Sequence, residues 1–182
     1  FLGHQVESYR RLVEGLGFPN GPLEPRIAVP DGVRAAGATQ LRAAGWDGRV
    51  PLVALAPGAA YGGAKRWPAA SFAGLARDLA ADGLRPVLVG GAGDVEAGQK
   101  ILAALGRSDT VLNVIGQNDI PGLAGVLVNC RALVSNDSGA MHLGAAVGLA
   151  VTVPFGPTDE SLVPQQAAEP AVTLPLSGTT ST

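Results

Sequence analysis

The residues best suited to chemistry in this chain lie in the run Val134-Ser135-Asn136-Asp137-Ser138-Gly139-Ala140-Met141-His142. A short apolar segment, Ala132 to Val134, enters a turn of small polar residues, and a helical pattern then runs from Ser138 to Gly148. A strand, a tight loop and a helix start in that order aim unpaired backbone N–H groups and the positive end of the helix dipole at one point. That is a natural seat for a phosphate. Ser138 and His142 stand one turn apart and share a face, with Gly139 between them, so both can reach a ligand seated at the helix start. Taken singly, Asp137 or Ser138 reads as an ordinary N-cap and His142 as an ordinary packed or exposed imidazole. Their weight comes from similar clusters elsewhere.

The first of these is Pro57-Gly58-Ala59-Ala60-Tyr61-Gly62-Gly63-Ala64-Lys65-Arg66-Trp67-Pro68. Glycines let backbone come close to a ligand, and Lys65 and Arg66, just before a helix, are placed to meet phosphate oxygens. The order Gly-Lys-Ser/Thr of a Walker loop is absent, and a solvated loop anchored by Trp67 is the plainer alternative. The second is Gly90-Gly91-Ala92-Gly93-Asp94-Val95-Glu96. Here Asp94 is expected as a helix cap, while Glu96, one turn in, is free to accept hydrogen bonds from ribose hydroxyls. Late in the chain, Val153-Pro154-Phe155-Gly156-Pro157-Thr158-Asp159 forms a rigid turn. Thr158 is a candidate phosphate contact, with a purely conformational role for the two prolines as the safer assumption.

These clusters require elements to hold them. Continuous apolar runs predict strands at Val50–Ala56, Arg85–Val89, Val111–Ile115, Leu133–Val134 and Leu149–Val153. Helical spacing predicts helices after Pro68 (Phe72, Leu75, Leu79, ending at Gly83), from Asp94 (Ile101, Leu102, Leu105), from Pro121 (Leu123, Val126, Leu127) and from Ser138 to Val147. Strands alternating with helices through short loops mean parallel crossovers and an open, doubly wound α/β sheet of Rossmann-like type. In such a sheet ligands gather at the carboxyl ends of the strands, where the polar clusters fall.

Upstream, residues 4 to 16 have helical spacing (Val6, Tyr9, Leu12, Val13, Leu16), Ile27 to Val29 suggests a short strand, and Val33 to Ala44 a helix with Asp31 as cap. Residues 1–48 hold too few apolar side chains for a core of their own and read as the end of a preceding domain plus a linker. Residues 49–160 read as one Rossmann-like domain, and 161–182, rich in Pro, Ser and Thr, as an irregular or disordered tail. The first residue is Phe1 rather than Met, so a processed chain or a fragment is expected.

Composition narrows the function. The chain has 182 residues, 47% hydrophobic and 15% charged, with a formal net charge of -2. That balance argues for a globular fold and against a general nucleic-acid binder. No apolar run approaches the roughly 18 residues of a membrane span, and no secretory leader is recognisable. The single Cys130 excludes an intrachain disulfide and any multi-cysteine metal site, and fits a reducing cytoplasm.

Taken in order, Pro57-Gly58-Ala59 with Lys65-Arg66-Trp67-Pro68, Gly90-Gly91-Ala92-Gly93-Asp94, Ser135 through His142, and Phe155-Gly156-Pro157-Thr158 resemble the C-terminal half of the lipopolysaccharide heptosyltransferases, the ADP-heptose glycosyltransferases of family 9, most nearly the heptosyltransferase II type. The resemblance spans Val50 to about Glu160, and the helix from His4 to Gly17 looks like the end of that family's first domain. It implies a two-domain GT-B fold in which this half binds the nucleotide sugar. It further implies that Lys65 faces the diphosphate, Glu96 the ribose, and Asp137, Ser138, Gly139 and His142 the phosphate and sugar end of the donor. No metal or other cofactor is expected, only ADP-heptose as donor substrate and a lipid-linked oligosaccharide as acceptor. The family's catalytic carboxylate belongs to the N-terminal domain. Hence no catalytic residue is expected in this chain, and the chain alone is expected to be inactive, with any peripheral membrane contact made through that other domain. The resemblance also suggests a cytoplasmic protein at the inner face of the inner membrane. Two other readings stay open: a non-catalytic, truncated nucleotide-binding module, and another GT-B enzyme that uses a UDP-sugar.

Overall fold

The computed structural model describes residues 5–19, 25–59, 66–106 and 109–154. A parallel five-stranded sheet is built from β1 (Leu52–Ala56), β2 (Arg85–Leu88), β3 (Leu112–Asn113), β4 (Ala132–Ser135) and β5 (Ala150–Thr152). Their order across the sheet is β3-β2-β1-β4-β5. Around it lie α2 (Asp31–Ala43), α3 (Ala69–Ala81), α4 (Val95–Leu105), α5 (Ile120–Leu127) and α6 (Gly139–Ala146), preceded by α1 (Gln5–Gly15). The expected open parallel α/β sheet is therefore present, with most strands one to three residues shorter than the apolar runs that announced them.

The continuous apolar run of β1 resolves into two faces because side chains alternate along a strand. Leu52, Ala54 and Ala56 join Leu41 of α2, Val126 and Leu127 of α5, and Met141 of α6 in one core. Val53 and Leu55 join Phe72, Ala73 and Ala76 of α3 and Ile101 of α4 in the other. Burial on both faces is why polar alternation is missing from this strand.

Two helix starts differ from expectation by one residue. Pro68 occupies the N-cap of α3 rather than its first turn, and its carbonyl accepts from Ser71 and Phe72. Pro30 likewise caps α2, making Asp31 the first helical residue with its carboxylate near the positive helix end instead of a capping side chain. Both prolines hold the extended ψ that stops a helix from growing backwards. At α5, Asp119 is a true cap, its carboxylate accepting from Gly122 N–H at 2.8 Å, and Pro121 sits in the first turn as expected.

Composition misjudged the upstream segment. The stretch 31–46, read as part of a linker, packs into the sheet's own core, where Leu41 is fully buried. α2 and α5 approach backbone to backbone: a Cβ added at Gly37 would overlap the carbonyl of Gly125, and one at Gly125 would overlap that of Val33. Trp46 closes the end of this unit, its indole N–H donating to Val50 O at 2.8 Å and Arg42 lying 5.5 Å over its ring. Ile27 to Val29 form no strand, because the Ile27 N–H is taken by Ala146 O at the end of α6. α1 has the expected helical span, but Tyr9, Leu12 and Leu16 remain 60–68% exposed.

Candidate nucleotide-binding site

Chain order runs outward from β1 through β2 to β3, then jumps back across β1 to β4 and on to β5. The helices that follow β1 and β4, α3 and α6, therefore cover opposite faces of the sheet, which makes the carboxyl edge between these strands a topological switch point. Register brings their ends level, with Ala56 opposite Ser135 and Leu55 opposite Leu88 of β2. Three polar clusters thus lie side by side at one edge.

A side chain not singled out as a site residue organises this edge. Asn136 is fully buried, and its backbone N–H extends the ladder to Ala56 O at 3.2 Å. Its Nδ2 donates to Pro57 O at 2.8 Å, and its Oδ1 accepts from Trp67 N–H at 3.0 Å. Both ends of the loop that contains Lys65 are bonded to one amide. Trp67 N–H is available because the following proline forces an extended residue that precedes α3. The one clue in sequence is the type itself: Asn136 carries the one amide side chain in the strand-to-helix turn, with its donor and acceptor on separate atoms that can reach two backbone groups at once.

On the other flank Asp94 differs from the cap expected of it. Its side chain makes no capping bond to α4; it reaches back to accept from Gly91 N–H at 2.9 Å, closing the short 3-10 turn Ala92–Asp94. The same carboxylate fills the space beside Gly58, where a Cβ would overlap it, and beside Gly90, where a Cβ would stand 2.7 Å away. Glycine at both strand ends is what admits this carboxylate.

Glu96 sits in the first turn of α4, exposed and ion-paired to Lys100 at 2.7 Å. The hydrogen bond from Lys100, then its charge, hold the Glu96 carboxyl below the usual range, and Arg66 adds a smaller push in the same direction. Glu96, Lys100 and Ile101 face Arg66, Trp67 and Phe72 across a cleft of about 150 Å³. Trp67 stands edge-on to Phe72 with centroids 5.0 Å apart. Arg66 folds back toward the loop entrance, reaching Ala59 O at 3.4 Å.

At the start of α6, Ser138 occupies the N-cap position with extended backbone but makes no capping bond. Ser135 Oγ donates to Asn136 O at 2.8 Å, so its remaining bond to Ser138 Oγ, at 3.1 Å, is one in which Ser138 donates. Asp137 is half-buried and Gly139 and His142 are exposed, all within the first turn or the turn before it. The fold therefore brings Glu96 against the Arg66–Trp67 end of the loop, and that end against Asn136 and its neighbours Asp137 and Ser138. Lys65 itself, Phe155-Gly156-Pro157-Thr158 and the tail 161–182 lie outside the described residues.

An open parallel sheet with helices on both faces and polar clusters at the switch point defines a Rossmann-like α/β domain. The sequence profile of glycosyltransferase family 9 (heptosyltransferase) matches residues 2–177, and the chain belongs to that family. It is 33% identical over 168 residues to lipopolysaccharide heptosyltransferase 2 of Escherichia coli K12, covering 87% of this chain and 47% of the relative. The solved E. coli ADP-heptose lps heptosyltransferase II superposes with a TM-score of 0.75 at 32% identity, covering 87% of this chain and 47% of that one. A family 9 glycosyl transferase from Veillonella parvula DSM 2008 superposes with a TM-score of 0.81 at 26% identity, covering 98% and 51%. The chain spans about half the length of the curated relatives it matches.

Proposed function

We propose that this chain is the donor-binding half of a GT-B heptosyltransferase that moves heptose from ADP-heptose to the lipid-linked inner core of lipopolysaccharide. The observation that carries the reading is the match to a lipopolysaccharide heptosyltransferase over 87% of the chain, a span that includes the assembled carboxyl-edge cluster. Departure of the sugar from C1 leaves ADP with growing negative charge. The first amides of α6 and the ammonium of Lys65 are the groups in this chain suited to stabilise it. Glu96, kept ionised by Lys100, is an acceptor for the ribose hydroxyls. Asp137 cannot attract phosphate; its part is to orient cations or accept sugar hydroxyls, with Ser138, Gly139 and His142 beside it. The reaction needs no metal or cofactor in this scheme. The carboxylate that activates the acceptor comes from the N-terminal domain, which also makes the contact with the cytoplasmic face of the inner membrane. Among the described residues no helix is long and apolar enough to cross a membrane.

Calorimetry with ADP and UDP tests the reading. ADP is expected to bind in preference to UDP, more weakly as salt rises, and about 10- to 100-fold more weakly in Lys65→Ala, the range for a lost charge-assisted hydrogen bond. Preference for UDP, or indifference of ADP binding to both salt and Lys65→Ala, would overturn it. Asp137→Ala with unchanged affinity would remove Asp137 from the site.

A further inference from the structure

The loop after β1 leaves the sheet at Pro57 and rejoins regular structure at Trp67, and a single buried side chain bonds to both points. The two backbone groups it satisfies have no place in neighbouring secondary structure. Pro57 follows the last paired residue of β1, and Trp67 precedes the N-cap of α3. On the opposite side the Asp94 carboxylate is wedged against Gly58, so the loop entrance is held from β2 as well as from β4. Asn136 is also the residue immediately before Asp137 and Ser138, with its own N–H locked to Ala56 O.

We propose that Asn136 is a positioning residue: its amide sets the span between Pro57 and Trp67 and so fixes both ends of the loop, Gly58 and Ala59 at its entrance and Arg66 at its exit, beside the turn that starts α6. It touches no ligand. It ties the two ends of one loop to a turn from a distant part of the chain, and its loss is felt as weaker nucleotide binding. This rests on the nucleotide-binding reading above.

The test uses Asn136→Ala and Asn136→Asp in the purified protein, at temperatures where circular dichroism shows each variant folded. One readout is the dissociation constant for ADP; the other, which needs no nucleotide, is the rate of tryptic cleavage after Lys65 and Arg66 relative to cleavage after Lys100. Asn136→Ala is expected to weaken ADP at least tenfold and to raise the relative cleavage rate by a similar factor. In Asn136→Asp the introduced carboxyl, when protonated, can donate to Pro57 O and accept from Trp67 N–H as the amide does. That variant's deficit, taken as a ratio to wild type at each pH so that contributions common to both proteins cancel, those of the charged neighbours Arg66, Asp94 and Asp137 among them, is therefore expected to fall below that of Asn136→Ala by pH 5. A deficit in Asn136→Asp that at pH 5 still equals that of Asn136→Ala, or ADP affinity within twofold of wild type and unchanged cleavage in Asn136→Ala, overturns the proposal. If wild type fails to bind ADP, the donor-binding reading falls, while the cleavage rates still decide whether Asn136 holds the loop.

Discussion

Two glycines inside helices, Gly37 in α2 and Gly74 in α3, separate the packing of this fold from its composition. By helix propensity alone, alanine at either position stabilises by about 1 kcal/mol, since glycine gives up more backbone entropy on folding. At Gly74 nothing stands within 4 Å of the added Cβ, so that gain is expected in full, raising Tm by about 2–4 °C for a chain of this size. At Gly37 the Cβ would overlap the Gly125 carbonyl and come within 2.7 Å of Val126 N. These are backbone atoms, with no flexible side-chain end to yield, so α2 and α5 must move apart by about 1 Å. A gap of that size forfeits a quarter to a half of the dispersion well at each contact it opens, Leu41 included. Overpacking of this kind costs about 1–3 kcal/mol, and the contact here is at its severe end. Net of the propensity gain, Gly37→Ala is expected to destabilise by about 2 kcal/mol and to lower Tm by about 4–8 °C. Urea melts followed by circular dichroism, with m compared so that a change in compactness is recognised, measure both variants. Equal stabilisation by Gly37→Ala and Gly74→Ala would mean that α2 does not pack on α5 and is the linker its composition suggests.

Asp119→Ala removes the carboxylate that accepts from Gly122 N–H and is expected to lower stability by about 1 kcal/mol in the same urea assay. Burial pushes the Cys130 thiol up to about 12, so the native protein should not react with Ellman's reagent at pH 8, and unfolding should release one reactive thiol. Because that pKa is raised in the folded state, the stability it contributes is complete below the unfolded thiol's value, about 8.5, and is lost as pH climbs toward 12; Cys130→Ala should flatten this alkaline slope. Lys100→Ala should move the Glu96 titration, followed by NMR, up toward the ordinary glutamate range. With Lys100 present the Glu96 pKa is lowered, so its contribution is present above the ordinary value and disappears as pH falls through the lowered one.

What the amino-acid sequence discloses here follows the range of the forces involved. The strands were legible because burial on both faces leaves an uninterrupted apolar run, as in Leu52–Ala56. The placing of polar clusters at strand ends followed from chain order alone. Strand order was not legible, since whether the chain turns back across β1 after β3 depends on which face each crossover helix covers. α2 was misread because its closest contact is made by glycine backbone, which no count of apolar side chains registers. Asn136 escaped notice for a related reason: its partners are the carbonyl of Pro57 and the N–H of Trp67, groups every such residue carries whatever its type. A buried amide bonded to distant backbone leaves no pairing signature in the sequence, yet it joins the turn before α6 to both ends of the loop after β1. Under the donor-binding proposal, substitution at Asn136 should therefore weaken nucleotide binding by releasing the ends of a loop, without removing any atom that touches the nucleotide.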